Sequence, residues 1–250
     1  LKGLAGGDGA VRFEGLTAAL PLRWGPEGAT TARPVPVEVA RVATGVPVEA
    51  LTLRAELLPG PRLRLEEVAA RLLGGRIGAD AIATALGPEW GGAFTAEVSG
   101  VEMARLVALE QREGLEATGT LDGRLPVRFG PEGVAVADGR LTARPPGGVI
   151  RYRAPDGARQ MAAGRPQMEL VLNAVQDFRY DSLEADVDYA EDGKLGLDVA
   201  LKGQSPTVSA DRPIHLNLNI EENIPALLRS LRMAKEVGDR LEREIQRRLE

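Results

Sequence analysis

The sequence predicts a mainly β protein of many short antiparallel strands, with short helices between them and a long amphipathic helix at its C-terminal end. Three observations predict this class. Apolar residues alternate with polar, small or proline residues at period two along most of the chain, the spacing of strands with one buried and one wetted face. The 30 Gly and 17 Pro fall mostly between these runs, where turns need them. A nine-residue unit also occurs twice. Leu20-Pro-Leu-Arg-Trp-Gly-Pro-Glu-Gly28 returns as Leu125-Pro-Val-Arg-Phe-Gly-Pro-Glu-Gly133, and Thr-Ala-Arg-Pro follows each copy, at Thr31 to Pro34 and Thr142 to Pro145.

In chain order, Leu16-Ala18-Leu20-Leu22-Trp24 reads as one alternating strand, followed by Val35-Val37-Val39 and Leu51-Leu53-Ala55-Leu57. Gly-Pro-Glu-Gly in each repeat copy puts Pro second and Gly fourth in a type I turn, so each copy is a strand running into a hairpin. Three Gly pairs, Gly74-Gly75, Gly91-Gly92 and Gly147-Gly148, each stand just before a strand. Helical spacing interrupts the pattern in three places. Val101 to Glu110 is a short helix, and Pro166 to Phe178 opens with proline in its first turn and stripes Met168, Val171, Leu172 and Val175 along one side. The third starts after Asn223 as N-cap and Pro225, and carries Leu227, Leu231, Ala234, Gly238, Leu241 and Ile245 at four–three spacing. Before it lie a hairpin, Ala185-Val187-Tyr189 turning through Glu191-Asp192-Gly193 into Leu195-Leu197-Val199-Leu201, and the strand Ile214-Leu216-Leu218-Ile220.

Composition excludes several functions. The net charge of −5, from 31 basic and 36 acidic residues, argues against a nucleic-acid surface. The chain has no Cys and one histidine, His215, so thiolate chemistry, disulfides and multi-His metal sites are ruled out. Aromatic residues make up 4%, too few for a stacking platform. No stretch is apolar enough for a membrane-spanning helix. The chain opens at Leu1 with no signal peptide, so it is expected to be an excerpt of a longer protein whose anchor lies upstream.

Nothing in the sequence assembles a catalytic centre. Asp186 and Asp188 share the polar face of a strand, where solvated charges outrank a glycosidase pair. His215 alternates with Ile214 and Leu216 and is expected to face solvent, with no Ser or Asp motif beside it. The Gly pairs have neither the Gly-x-Gly-x-x-Gly pattern nor a Gly-Lys-Ser/Thr ending, so they are not phosphate loops. Function therefore rests on the shape of an aliphatic sheet. That sheet either closes as a sandwich or curls into a trough whose apolar lining stays open, and periodicity alone does not separate the two.

The C-terminal hundred residues carry a resemblance. Gly147-Gly-Val-Ile-Arg-Tyr152, Asn173-Ala-Val-Gln-Asp-Phe-Arg-Tyr-Asp-Ser-Leu183, Leu201-Lys-Gly203 and Pro213-Ile-His-Leu-Asn-Leu-Asn-Ile-Glu-Glu-Asn223 are similar to the C-terminal domain of YdbH-type proteins, of the AsmA-like superfamily that includes the TamB group. Gly119-Thr-Leu-Asp-Gly-Arg-Leu-Pro126 fits the same pattern, and Ser205-Pro206 departs from an expected Asn-Pro. The resemblance covers residues 115–232, while residues 1–114 match in style through the Gly-Gly strand units. It implies a repetitive β-groove segment over 1–114 and a YdbH-like C-terminal domain over 115–250, forming one continuous groove. The groove would be a non-enzymatic bridge for phospholipids across the periplasm of a Gram-negative bacterium, without cofactor or metal, anchored upstream in the inner membrane. Its lining would include Leu16, Leu20, Leu53, Leu65, Leu125, Val127, Leu197 and Val199. Its C-terminal end would dock a small outer-membrane lipoprotein by strand addition along Ile214, Leu216, Leu218 and Ile220. Two other readings are weighed beside it: a TamB-like scaffold for outer-membrane protein assembly, and a closed β-sandwich binding polysaccharide.

Overall fold

The computed structural model describes residues 2–7, 12–26, 28–43, 47–88, 90–109 and 114–223. The first half consists of β1 (Leu4–Gly7), β2 (Arg12–Ala18), β3 (Leu22–Gly25), β4 (Gly28–Thr31), β5 (Val35–Ala43), β6 (Pro47–Leu58), β7 (Arg62–Leu72), β8 (Gly75–Ala85), β9 (Gly92–Glu102) and the short helix α1 (Met103–Ala108). The second half consists of β10 (Leu115–Ala117), β11 (Thr120–Gly130), β12 (Gly133–Ala143), β13 (Gly148–Tyr152), α2 (Asp156–Ala162), α3 (Pro166–Ala174), β14 (Phe178–Tyr189), β15 (Lys194–Ser205) and β16 (Ser209–Asn223).

All but β3 and β4 belong to one 14-stranded antiparallel sheet. Neighbours in sequence are neighbours in space from β5 through β9, as hairpin connections dictate. Beyond β9 the order runs β11, β12, β14, β15, β16. β13 pairs the first residues of β14 and β10 pairs β13, so β13 prolongs the line of β12 and β10 that of β11. The main sheet thus has twelve lines of strand, roughly 50 Å from β1 to β16 at ~4.8 Å per step. It does not close on itself: β1 and β16 are its two edges, and β16 has no second strand partner among the described residues. β9 pairs β11, so one sheet holds strands from both halves of the chain.

Every strand run read from the sequence is present except the first, which is split. Ala18 ends β2, and Leu22 begins a separate hairpin, β3–β4, in which Trp24 pairs Ala29 and Gly25 pairs Gly28. In the second repeat copy Phe129 pairs Val134 and Gly130 pairs Gly133 at the β11–β12 turn. Both copies are therefore hairpins, one off the main sheet and one within it. The predicted Val101 helix starts two residues later, because Val101 and Glu102 complete β9. α3 opens with Pro166, as expected, but α2 went unread: Asp156–Ala162 has no apolar periodicity to announce it. Asn223 is the last residue of β16, and the helix expected after it lies outside the described residues.

The Gly pairs do more than loosen turns. Gly74 and Gly147 have φ of 83° and 95°, which side-chain-bearing residues avoid. Their partners Gly75 and Gly148 lie against a neighbouring strand's backbone: a Cβ on Gly75 would stand 2.5 Å from the Ser99 carbonyl oxygen, and one on Gly148 would collide with that of Thr118.

Left-handed residues also occur inside strands, at Ala50 in β6, Glu67 in β7, Gly100 in β9 and Asp138 in β12. At each the alternation changes phase, so that Val48 and Leu51, Leu65 and Val68, or Val98 and Val101, face the same side although three residues apart. These are β-bulges in effect, and bulges increase the right-handed twist of a strand pair.

The buried core lies at one end of the strands. This end carries α1, the β7–β8 and β15–β16 turns and the α2–α3 excursion between β13 and β14. Phe178 (0% exposed), Tyr180, Leu183, Leu201 and Leu216 pack there with Ala174 of α3 and with Val101, Met103, Ala117 and Leu121. Burying each large side chain contributes about 1.5–3 kcal/mol. Polar groups in the core are matched: Tyr180 Oη donates to the Thr118 carbonyl at 2.7 Å and Ser205 Oγ to that of Ala174 at 2.9 Å. Burial raises the Tyr180 phenol pKa above its ordinary value.

The Gly100 bulge is braced from β11. Asp122 accepts the Gly100 N–H at 2.7 Å, and Arg144 Nε donates to its other oxygen at 2.6 Å while reaching Ser99 Oγ at 2.8 Å. The Arg144 hydrogen bond holds the Asp122 carboxyl below the ordinary carboxylate pKa, against a partial burial that works the other way, with the Gly100 N–H adding to the lowering. A lowered native pKa stabilises the fold fully above the unfolded value of about 3.9, and the effect is lost as pH falls through the native value. Asp122→Ala is therefore expected to cost about 1–2 kcal/mol at neutral pH, a charged hydrogen bond discounted for its exposure. In urea melts below pH 4 the deficit should shrink towards zero.

Candidate functional site: the aliphatic face of the sheet

Cross-strand partners in an antiparallel sheet lie on the same face, so the register shows which side chains assemble there. On the β16 side, Leu218 pairs Val199, Val199 pairs Ala185, and Ala185 pairs Leu141. One step along, Ile220 pairs Leu197 and Leu197 pairs Val187. In the middle, Val127 pairs both Val136 and Phe94, and Leu125 pairs Ala96. Towards β1, Leu65 pairs Ala55 and Ile82, Leu53 pairs Val37, and Val37 pairs Ala18. Leu16, which pairs Leu4, lies at the same level.

Seven of the eight predicted lining residues are in the main sheet. Leu16, Leu53, Leu65, Leu125, Leu197 and Val199 are half-buried, and Val127 is buried at 9% exposure. Leu20 is the exception: it lies between β2 and β3, off the sheet, and is 43% exposed. Of the predicted docking residues on edge strand β16, Leu216 is buried and Ile214, Leu218 and Ile220 are half-buried.

The pattern of burial decides how this face is used. β6 lies well inside the sheet, yet Leu51, Leu53, Ala55 and Leu57 all stop at half-burial. Side chains under a second layer would be fully enclosed, as Phe178 and Leu201 are beside the helices. Along β15 the change is graded: Leu195, Leu197 and Val199 are half-buried, then Leu201, Gly203 and Ser205 are buried as the strand nears α3. Burial on the aliphatic face is thus complete beneath the helices and uneven elsewhere: Val35, Val39, Val127 and Val187 are buried, while β6 and the first half of β15 stay half-buried.

The other face is charged. A row of successive partners, Glu97, Arg124, Arg140, Asp186, Asp198 and Asn219, crosses β9 to β16. Arg124 pairs Glu97 at 3.1 Å, Arg140 pairs Asp186 at 3.1 Å, and Asn219 donates to Asp198 at 2.7 Å. Asp186 is accordingly part of this solvated ladder, and Asp188 accepts the Asp138 N–H at 3.2 Å. His215 is exposed on the same side as its β15 partner Lys202. Among the described residues no three His, Asp or Glu side chains are grouped to hold a metal ion, and no helix is long and apolar enough to cross a membrane.

The sequence reading missed an aromatic cluster at the turn end of the strands. Phe129 lies 6.1 Å from Trp90 and 6.0 Å from Phe94, ring centre to ring centre. The signal was present in Trp90-Gly91-Gly92 and Phe129-Gly130-Pro131, which set each ring beside a turn.

A broad open antiparallel sheet with one aliphatic face, covered only in part, and one charged face is the class of structure that this chain forms. The chain belongs to the YdbH-like family: the family model described as intermembrane phospholipid transport protein YdbH matches residues 1–248. The match extends across residues 1–114, beyond the segment that carried the resemblance in the sequence. This is a family of lipid-transport proteins and not of enzymes. No curated protein and no solved structure matches the chain.

The graded burial distinguishes two substitutions on the same face. Val127→Glu places an unpaired carboxylate in an enclosed position and is expected to cost several kcal/mol, seen as a large fall in the unfolding midpoint. Leu53→Glu leaves its carboxylate within reach of water, and the midpoint should drop far less.

Proposed function

We propose that this chain is a segment of a periplasmic bridge in a Gram-negative envelope, in which the aliphatic face is the floor of an open groove that carries phospholipid acyl chains between the membranes. The observation that carries this reading is the half-burial of the aliphatic side chains of β6 and of the first half of β15, in a chain of the YdbH-like family. An acyl chain laid on such a face gains about 0.8 kcal/mol per methylene removed from water. Bulges at Ala50, Glu67, Gly100 and Asp138 would supply the extra twist that turns a wide sheet into a trough. Residues 1–114 and 115–250 then serve as successive stretches of one groove, lined by Leu16, Leu53, Leu65, Leu125, Val127, Leu197 and Val199, with Leu20 at its margin. The inner-membrane anchor would belong to the full-length protein upstream.

Photo-crosslinking from probes at Leu53 and Val199 tests this reading. Both should label co-purified phospholipid, and probes at Arg54 and Arg128, whose side chains are exposed on the charged face, should not. Equal labelling from both sets would refute the assigned face.

We further propose β16 as the docking edge for a small outer-membrane lipoprotein. It is a 15-residue strand, and between Pro213 and Glu221 its only ionisable residue is His215. A long edge with so little charge invites strand addition. His215→Pro and Asn217→Pro each remove one backbone donor. The expected result is loss of lipoprotein in a pull-down with an unchanged circular dichroism spectrum. Retained binding by both folded variants would place the docking site elsewhere.

A further inference from the structure

The aliphatic face has two unlike margins. At the helix end it runs under α1 and α3 and is closed by the packed core around Phe178 and Leu201. The opposite margin is formed by the β6–β7, β8–β9, β11–β12 and β14–β15 turns, and no helix covers it among the described residues. Both tryptophans of the chain are at this turn margin. Trp90 is in the β8–β9 turn, 43% exposed, and touches Phe129, whose ring neighbour Phe94 pairs Val127 on the aliphatic face. Trp24 is at the end of the β3–β4 hairpin, which is inserted between β2 and β5 at the same margin and is tied to it where the Leu57 N–H donates to Thr31 Oγ1 at 3.1 Å.

The repeated nine-residue unit shows what is missing around Trp24. In the second copy the aromatic residue, Phe129, is half-buried by two other rings. In the first copy the same position, Trp24, is 81% exposed, and Leu22, two residues before it, is 45% exposed. Indole combines a large apolar body with one hydrogen-bond donor, and it favours the boundary where acyl chains give way to polar ester and headgroup.

We infer that the turn margin, through Trp24 and Trp90, is the lip at which the glycerol–ester region of a bound phospholipid rests, so that its headgroup leaves the face there and its acyl chains run inward towards the helix end. The inference rests on the lipid-groove reading and adds the orientation of the lipid within it. Headgroups at the helix end would instead meet packed hydrophobic core.

Fluorescence quenching by phospholipids brominated either near the acyl carbonyl or near the terminal methyl tests it, using the chain loaded with each lipid. Trp24→Phe and Trp90→Phe each leave one native tryptophan. The double variant carrying Leu53→Trp, or Val199→Trp should the first not fold, places a probe on the inner face. Carbonyl-proximal bromine is expected to quench Trp24 and Trp90 at least twofold more than methyl-proximal bromine, with the order reversed for the inner probe. If the inner probe is quenched while Trp24 and Trp90 are not, or are quenched more by methyl-proximal bromine, the assigned lip is wrong. If no probe is quenched by either lipid, the groove reading fails and this inference with it.

Discussion

Backbone hydrogen bonding between neighbouring strands is the constraint from which the rest of this structure follows. Among the described residues no helix packs on the strands from β2 to β8. Each of those in the main sheet is held by two lateral ladders instead, and an interior strand in such a sheet satisfies nearly all its N–H and C=O groups without help from side chains. That freedom lets Leu51, Leu53, Ala55 and Leu57 remain half-buried without unpicking β6. It also explains why the chain follows sequence order so closely: hairpins are the cheapest way to add one ladder to the last.

The ladders set a second requirement, that one face stay apolar through strands interrupted by bulges. A left-handed residue inserted in a strand shifts the alternation by one, and the side chains beyond it would change faces unless the sequence shifted too. The sequence does shift. Leu65 and Val68 are three apart across Glu67, and Val98 and Val101 are three apart across Gly100. Gly100 is held by the Asp122–Arg144 pair, which links bulge geometry on β9 to charge on the opposite side of the sheet. The charged row from Glu97 to Asn219 keeps that opposite side wetted, so the two faces do not compete for the core.

The two margins of the sheet differ in where the packing stops. Helices α1 and α3 close one margin over Phe178, Tyr180 and Leu201, and give the sheet its rigid end. The turn margin carries Trp24 and Trp90 exposed. A surface with a closed margin, an aliphatic floor and an open aromatic margin is polar in the sense that matters for an amphipathic ligand: its two ends are chemically different.

The sequence by itself determined the strand class, the hairpin in both copies of the Gly-Pro-Glu-Gly unit, the Gly-Gly strand starts and the apolar sets of β5, β6, β11, β15 and β16. These are local properties, set by side-chain period and by which residues tolerate a turn. It also carried the family, through the segments around Asn173–Leu183 and Pro213–Asn223. It misjudged Leu16 to Trp24 as one strand, because alternation says nothing about where a chain leaves one sheet for another; Leu20 fell off the main sheet for that reason. It passed over α2, whose short polar turn is held by its connection to α3 and not by an apolar stripe. Only the tertiary structure decided that the sheet stays open, that burial is graded along the strands, and that Trp90, Phe94 and Phe129 meet. These depend on which strands become neighbours and on what lies above them, and two residues far apart in the chain carry no mark of that in their own local pattern.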